Sequence, residues 1–237
     1  MEEVFSRTEQ LLGRERFQKL RRCHVMVLGA GGVGSHCMEA LARAGVGRLT
    51  LVDSDRVAPS NINRQSIALL STVGRYKTEV MKEKIRDICP DTQVECRETF
   101  VLPDNVDTLF GERPDYIVDA IDTVSAKIAV AEKAREYKIP LISSMGTGNK
   151  LHGELFQIGD LSETSVCPLC RVMRRELKKR GIEHLKVLYS TEKPIPPQAP
   201  EERGDEGKRL PPGSISFVPP VAGLLIAGEV VRDLLEL

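Results

Sequence analysis

"VMVLGAGGVGSHCMEALARAGVGRLTLVD", residues 25–53, holds an apolar run, a cluster of glycines, a helical pattern and a second apolar run that ends on an aspartate. The two runs, "HVMVLG" (24–29) and "RLTLVD" (48–53), lack polar alternation, which suits parallel strands buried on both faces. Residues 33–44 between them read as the crossover helix. Gly29, Gly31 and Gly34 fall at G-x-G-x-x-G spacing, after a strand and before a helix, which is the context the motif requires. Such glycines let the chain turn tightly and approach phosphate oxygens, and the helix N-terminus adds unpaired amides and a positive dipole end. Simple packing of small residues is the plain alternative. The agreement of spacing with context favours a nucleotide.

The pattern extends outward from this unit. Upstream, Leu11, Leu12, Phe17 and Leu20 give residues 8–21 the face of a leading helix. Downstream, "VGRYKTEVMKEKIRDICP" sets Met81, Ile85 and Ile88 at helical spacing, and Pro90 stops it. "TQVEC", "DYIVDAID" and "IPLISSMG" read as further strands, the last two divided by a helix over 124–137. This alternation predicts an α/β fold with a Rossmann-like, mostly parallel sheet flanked by helices. After residue 146, "KLHGELFQIGD" and "LKVLYS" read as strands, "CPLCRVMRRELKKRG" as a helix, and the C-terminus as a helix on the same sheet. One domain over 1–237 is expected, with a nucleotide-binding core at 23–146 and a substrate-side extension at 147–237. Residues 193–213 hold six prolines and eight charges, too little apolar surface to order themselves, and are expected to form a mobile loop.

Composition is that of an ordinary soluble globular chain: 237 residues, 41% hydrophobic and 29% charged. The 34 basic and 34 acidic residues cancel, so only local clustering can signal a polyanion. An opening on Glu2 and Glu3, with six scattered cysteines, leads to the expectation of a reducing cytoplasm and free thiols. Residues 210–228 carry no charge, but Pro211, Pro212, Pro219 and Pro220 are expected to break them into a loop and a short helix. Stable membrane insertion is not expected; peripheral contact by this segment is the minor alternative.

Asp53 ends the second strand where an acid can accept hydrogen bonds from ribose hydroxyls, and for that arrangement NAD is the default. Two cations just beyond it favour another choice. Arg64, in "SNINRQS" (60–66), and Lys77 lie past the second strand toward its C-terminal edge. A diphosphate met by backbone amides gains little from them, whereas a triphosphate needs fixed cations. "DAID" sets Asp119 and Asp122 near the same edge, where a carboxylate can hold magnesium against phosphates. Each residue also has an ordinary reading: Lys77 a solvated helix charge, Arg64 a loop cap, and Asp122 an N-cap ahead of "TVSAK".

Taken together, Gly29–Gly34, "LVDSDRV", "SNINRQ", "VGRYKTEVM" and "DAIDTVSAK" resemble, in order and spacing, the ATP-binding core of the ubiquitin-activating-enzyme-like superfamily of ThiF and MoeB type. The resemblance spans residues 5–160. It implies that ATP is held by Gly29, Gly31, Gly32, Gly34, Asp53, Asp55, Asn63, Arg64, Gln65 and Lys77, with Asp122 as the magnesium ligand. Arg7, in "FSRTEQLLG", matches an arginine that such enzymes reach into a partner subunit's site, which implies a homodimer. On that basis Arg64, Lys77, Asp122 and Arg7 form the expected catalytic set.

Members that activate a sulfur carrier hold zinc with two C-x-x-C pairs. Here Cys167 and Cys170 supply one pair, no cysteine follows, and His184 leaves the set incomplete, so zinc is not expected and two core thiols are the simpler reading. An activated carboxylate without a protein thiol to receive it suits a substrate with its own nucleophile. "RVMRRELKKRGI", "YSTEKP" and "ISFVPPVAG" are similar to the tRNA threonylcarbamoyladenosine dehydratase branch, which uses ATP to cyclise a threonylcarbamoyl group beside the anticodon. The implied partner is tRNA, and a cysteine desulfurase or sulfur-acceptor system stays open. The basic run Arg171, Arg174, Arg175, Lys178 and Lys179 allows phosphate contact, or is simply the solvated face of an amphipathic helix. Ser190, Thr191, Glu192 and Lys193 either meet substrate or only end a strand. Three other functions compete: activation of a ubiquitin-like sulfur carrier, NAD-dependent oxidoreduction, and non-catalytic nucleotide sensing.

Overall fold

The computed structural model describes residues 3–196 and 212–237, so most of the expected loop at 193–213 lies outside the described residues. Two short helices, α1 (Ser6–Leu12) and α2 (Arg14–Leu20), lead in where one helix over 8–21 was expected. The break is Gly13, at φ +80, a backbone state that glycine enters without steric penalty and a helix cannot contain.

Then come β1 (His24–Leu28), α3 (Gly34–Ala44), β2 (Arg48–Val52), α4 (Lys77–Ile88), β3 (Gln93–Arg97), β4 (Tyr116–Asp119), α5 (Val124–Tyr137) and β5 (Leu141–Ser144). The chain closes with β6 (Phe156–Asp160), α6 (Pro168–Lys178), β7 (Lys186–Ser190) and α7 (Val218–Leu235). They form a seven-stranded sheet of order β3-β2-β1-β4-β5-β7-β6. Only β6 runs antiparallel, pairing Phe156 with Ser190 and Asp160 with Lys186. The extension after residue 146 thus adds two strands to the same sheet.

β1 shows why its sequence lacks alternation. Val25 and Val27 enter a core with α3, α4 and α7, through Met38, Leu41, Met81 and Ile226. Met26 and Leu28 enter the opposite core with α5 and α6, through Ala126, Val130, Met173 and Leu177. Both faces are dry, so every position is apolar.

The C-terminal helix is longer than expected. Pro219 and Pro220 sit in the first turn of α7, where a missing N–H removes no intrahelical bond, and the helix runs on for 18 residues. Ala222, Ile226 and Val230 are buried in the α3-side core. Among the described residues, no helix is long and apolar enough to cross a membrane.

Candidate active site

β1 has β2 on one side and β4 on the other, and the strand order reverses there. Crevices at such a switch point, beyond the carboxyl ends of the strands, are where open α/β sheets bind ligands. A cavity of about 550 Å³ opens at that place, lined by the ends of β1, β2, β4 and β5. Its size is that of a small-molecule site.

The glycine turn builds one wall. Gly29 has φ +91, and a Cβ on Gly34 would stand 1.7 Å from the Gly29 carbonyl oxygen. The turn therefore closes only with glycine at Gly34, and α3 starts directly beneath it. Gly29, Gly31 and Gly32 line the cavity, while Gly34 packs below. Pro219, at the start of α7, lines the cavity beside Gly32.

Asp53 ends β2 with its carboxylate held from two sides. Oδ2 accepts the Ala30 amide at 2.6 Å and Oδ1 accepts the Asp55 amide at 2.7 Å. Burial pushes its pKa above the usual carboxylate value, against the opposing pull of Lys77 and the two amides. Lys77, the first residue of α4, is only 5% exposed, so it is not a solvated helix charge. Its Nζ donates to Asp55 Oδ2 at 2.7 Å and stands 3.9 Å from Asp53 Oδ1. Arg64 lines the same wall and is held by its own loop, Nη1 donating to Ser60 O at 2.9 Å and Asn63 Oδ1 at 2.8 Å. It is both a loop cap and a cavity residue. Asn63 is at the margin, donating to the Ser214 carbonyl at 3.0 Å. Gln65 lines the cavity at 7% exposure, and its Oε1 has no hydrogen-bond partner among the described residues.

Asp122 and Asp119 prove unlike. Asp122 is exposed at the cavity, and among the described residues its carboxylate accepts one hydrogen bond, from the Thr123 hydroxyl at 3.4 Å. It does not cap α5: the N-cap is Thr123, with no side-chain cap bond. Asp119 is withdrawn from the cavity by Lys127 of α5, which sequence reading passed over. Lys127 Nζ donates to Asp119 Oδ2 at 3.0 Å, Ser143 Oγ at 3.1 Å and the Ser144 carbonyl at 2.8 Å. Ser143 Oγ donates to the same Asp119 oxygen at 2.5 Å, and Asp119 Oδ1 accepts the Ile121 amide. This buried cluster ties the ends of β4 and β5 together under the loop that carries Asp122. A lysine one turn into a helix looks like a surface charge in sequence; only the pairing with β4 marks it.

Another wall runs from Ser144 to Gly148, with Pro212 packed against Gly148 and Ser214 also lining the cavity. Asn149, at φ +57, links the margins: its carbonyl accepts the Ile195 amide, and it exchanges hydrogen bonds with Gly213. Glu192 accepts the amides of Leu151 and His152, and Lys150 Nζ donates to its carbonyl. Ser190 is buried in β7 and accepts the Glu192 amide, so both residues are engaged within the chain.

Of the basic run on α6, Arg171, Arg175, Lys178 and Lys179 are exposed. Arg174 instead donates to the carbonyls of Leu161, Ser162 and Thr164, and Glu176 pairs with Arg175 and Lys179. Arg7 is exposed on α1 and does not line this cavity. His184 faces Asp160 at 3.3 Å. Among the described residues, no three His, Cys, Asp or Glu gather as a metal site.

The sequence and fold are similar to known proteins over nearly their whole length. The tRNA threonylcarbamoyladenosine dehydratase of Bacillus subtilis (strain 168) is 45% identical over 240 residues, covering 98% of this chain and 94% of that protein. The E. coli tRNA N6-threonylcarbamoyladenosine dehydratase TcdA, solved in complex with ATP, matches with a TM-score of 0.90 at 33% identity, covering 99% of this chain and 95% of that one. The adenylyltransferase and sulfurtransferase UBA4 of Vanderwaltozyma polyspora is 34% identical over only 60% of this chain and 32% of its own length. The ThiF family model matches residues 5–237, through the glycine turn, the cavity and the terminal helix. The chain belongs to the ThiF family.

Proposed function

We propose that this protein uses ATP to dehydrate the threonylcarbamoyl group of a modified adenosine in tRNA. The observation that carries the reading is the reach of the likeness: it runs through the substrate-side extension as well as the nucleotide core, covering 98% of the chain. The match to the adenylyltransferase and sulfurtransferase UBA4 covers only 60% of the chain, and the second C-x-x-C pair expected of a sulfur-carrier activator is absent from the sequence.

In this reading Asp53 accepts the ribose hydroxyls, and the glycine turn presents its amides to the phosphates. Arg64 and Lys77 offset the charge that develops as the threonyl carboxylate attacks the α-phosphorus and pyrophosphate departs. A nitrogen of the same side group then attacks the acyl carbon, AMP leaves, and the ring closes with net loss of water. High effective concentration of that nitrogen replaces an external nucleophile. Magnesium, when bound, shields phosphate charge; the exposed, lightly engaged carboxylate of Asp122 suits it. Arg171, Arg175, Lys178 and Lys179 meet RNA phosphates, while Arg174 positions the loop before α6. Arg7 completes the site of a second copy in a homodimer.

Purified protein with ATP, magnesium and bulk tRNA should yield a modified nucleoside lighter by one water. Arg64→Ala and Asp122→Ala should abolish turnover with the fold intact, and mixing Arg7→Ala with Arg64→Ala subunits should restore part of it. Binding of NADH without ATP affinity, or ATP that is bound but never consumed in the presence of tRNA, would refute the reading.

A further inference from the structure

Arg64 carries the phosphate charge in the reading above, yet it sits on a separate loop from the glycine turn that seats the phosphates. We propose that His36 is a positioning residue: it holds the Arg64 backbone in register with that turn. This role rests on ATP being the ligand of the cavity.

His36 lies in the first turn of α3, directly after Gly34 and Ser35. Its Nε2 is 3.1 Å from the Arg64 carbonyl oxygen. A carbonyl only accepts, so Nε2 carries the proton and donates it. Ser35, wholly buried, accepts the Ser66 amide on its hydroxyl at 3.1 Å. The peptide groups on both sides of Gln65 are thus held from two consecutive residues of α3. A third tie reaches the same helix: Lys84 of α4 donates to the Ser66 carbonyl at 3.1 Å and pairs at 2.6 Å with Glu39, one turn further along α3.

Other bonds shape the loop without fixing it to that wall. The Asn61 carbonyl accepts the amides of Arg64 and Gln65, and the Arg64 guanidinium is tied to Ser60 and Asn63. These contacts travel with the loop. The Arg64 stem lies against Gly32, where a Cβ would stand 3.4 Å from Cγ, so a slip of the loop carries the cation along the glycine turn. His36 itself has little room to yield. α7 meets α3 at Gly223, where a Cβ would stand 2.3 Å from the Val33 carbonyl oxygen and 3.1 Å from His36 Cβ. The histidine is half-buried and lies outside the cavity lining, so it acts through Arg64 rather than on the nucleotide.

The test measures ATP-dependent turnover of tRNA by the full chain, comparing wild type with His36→Ala and with His36→Gln, whose amide nitrogen reaches where Nε2 stands. His36→Ala should lower kcat about 10–100-fold, the scale on which a misplaced group costs rate, with the KM for tRNA unchanged and a cooperative melt. His36→Gln should recover most of that loss. In an Arg64→Lys background, His36→Ala should cost less than about threefold more, because two changes acting through one group do not add. If His36→Ala melts below the assay temperature, His36→Phe, which keeps a ring without the donor, is read in its place. Wild-type kcat in the donor-less variant overturns the role, as does full additivity with Arg64→Lys or a glutamine variant no faster than alanine. A wild-type protein that binds ATP but leaves tRNA unchanged refutes the proposed function instead. The same cycle is then read in ATP affinity by calorimetry, where His36→Ala should weaken binding in the wild-type background and not beside Arg64→Lys. A wild type that binds no ATP overturns both.

Discussion

At the floor of the cavity Lys127 meets Asp119 at 3.0 Å with both side chains out of solvent; at the rim Glu192 accepts the amides of Leu151 and His152 in hydrogen bonds open to water. The floor is built from charges that must be paired because nothing else solvates them. The rim is built from contacts that water can replace. Between them lies the glycine turn, held by shape: Gly34 leaves no room for even one carbon. This contrast suits a site that must present a fixed surface to a small nucleotide and still admit a large polyanionic substrate on its open side.

The difference can be broken most directly at the floor. Lys127→Met leaves Asp119 buried without its cation, and should lower unfolding free energy by about 3–5 kcal/mol in a denaturant titration. Adding Asp119→Asn should recover part of that loss, because the unpaired charge is gone; a double variant as unstable as the single one would contradict the assignment. At the turn, Gly34→Ala forces a Cβ onto the Gly29 carbonyl. Overpacking of this kind costs about 1–3 kcal/mol or more, and ATP binding by calorimetry should vanish even where the protein still melts cooperatively. At the rim, Glu192→Gln should change stability by about 1 kcal/mol or less, with ATP affinity unchanged and the KM for tRNA raised. Equal damage to ATP and tRNA parameters would erase the distinction between floor and rim.

The smallest effect lies at the far end of β1. His24, 8% exposed and sharing a 2.8 Å hydrogen bond with Thr50, is held below the usual imidazole pKa by burial and then by Arg48. The folded state keeps it neutral while the unfolded chain takes up the proton. Its contribution is therefore whole above the unfolded value of about 6.5 and is lost as pH falls from there toward the depressed folded value. His24→Asn should flatten the fall in melting temperature over that interval and leave nucleotide binding alone.

What was legible in the sequence follows the same division. The turn, Asp53, Arg64 and Lys77 lie in short contiguous motifs, and their burial at one strand edge follows from alternation of strand and helix. Lys127 belonged to a motif, yet its role depends on β4 and β5 converging around it, which no local pattern encodes. Glu192 meets Leu151 across 41 residues, and Gly213 meets Asn149 across 64. Where sequence reading erred, local rules met local exceptions. Gly13 divided a periodic helix, prolines fitted the first turn of α7, and Thr123 took the N-cap position that was the alternative reading of Asp122.

Asn149 also fixes where this molecule can change. Its carbonyl receives the Ile195 amide at 2.8 Å and its side chain receives the Gly213 amide at 2.6 Å, so the chain departs and returns at one clasp. A change at Asn149 would loosen both flanks at once, at the Gly148–Pro212 edge of the cavity.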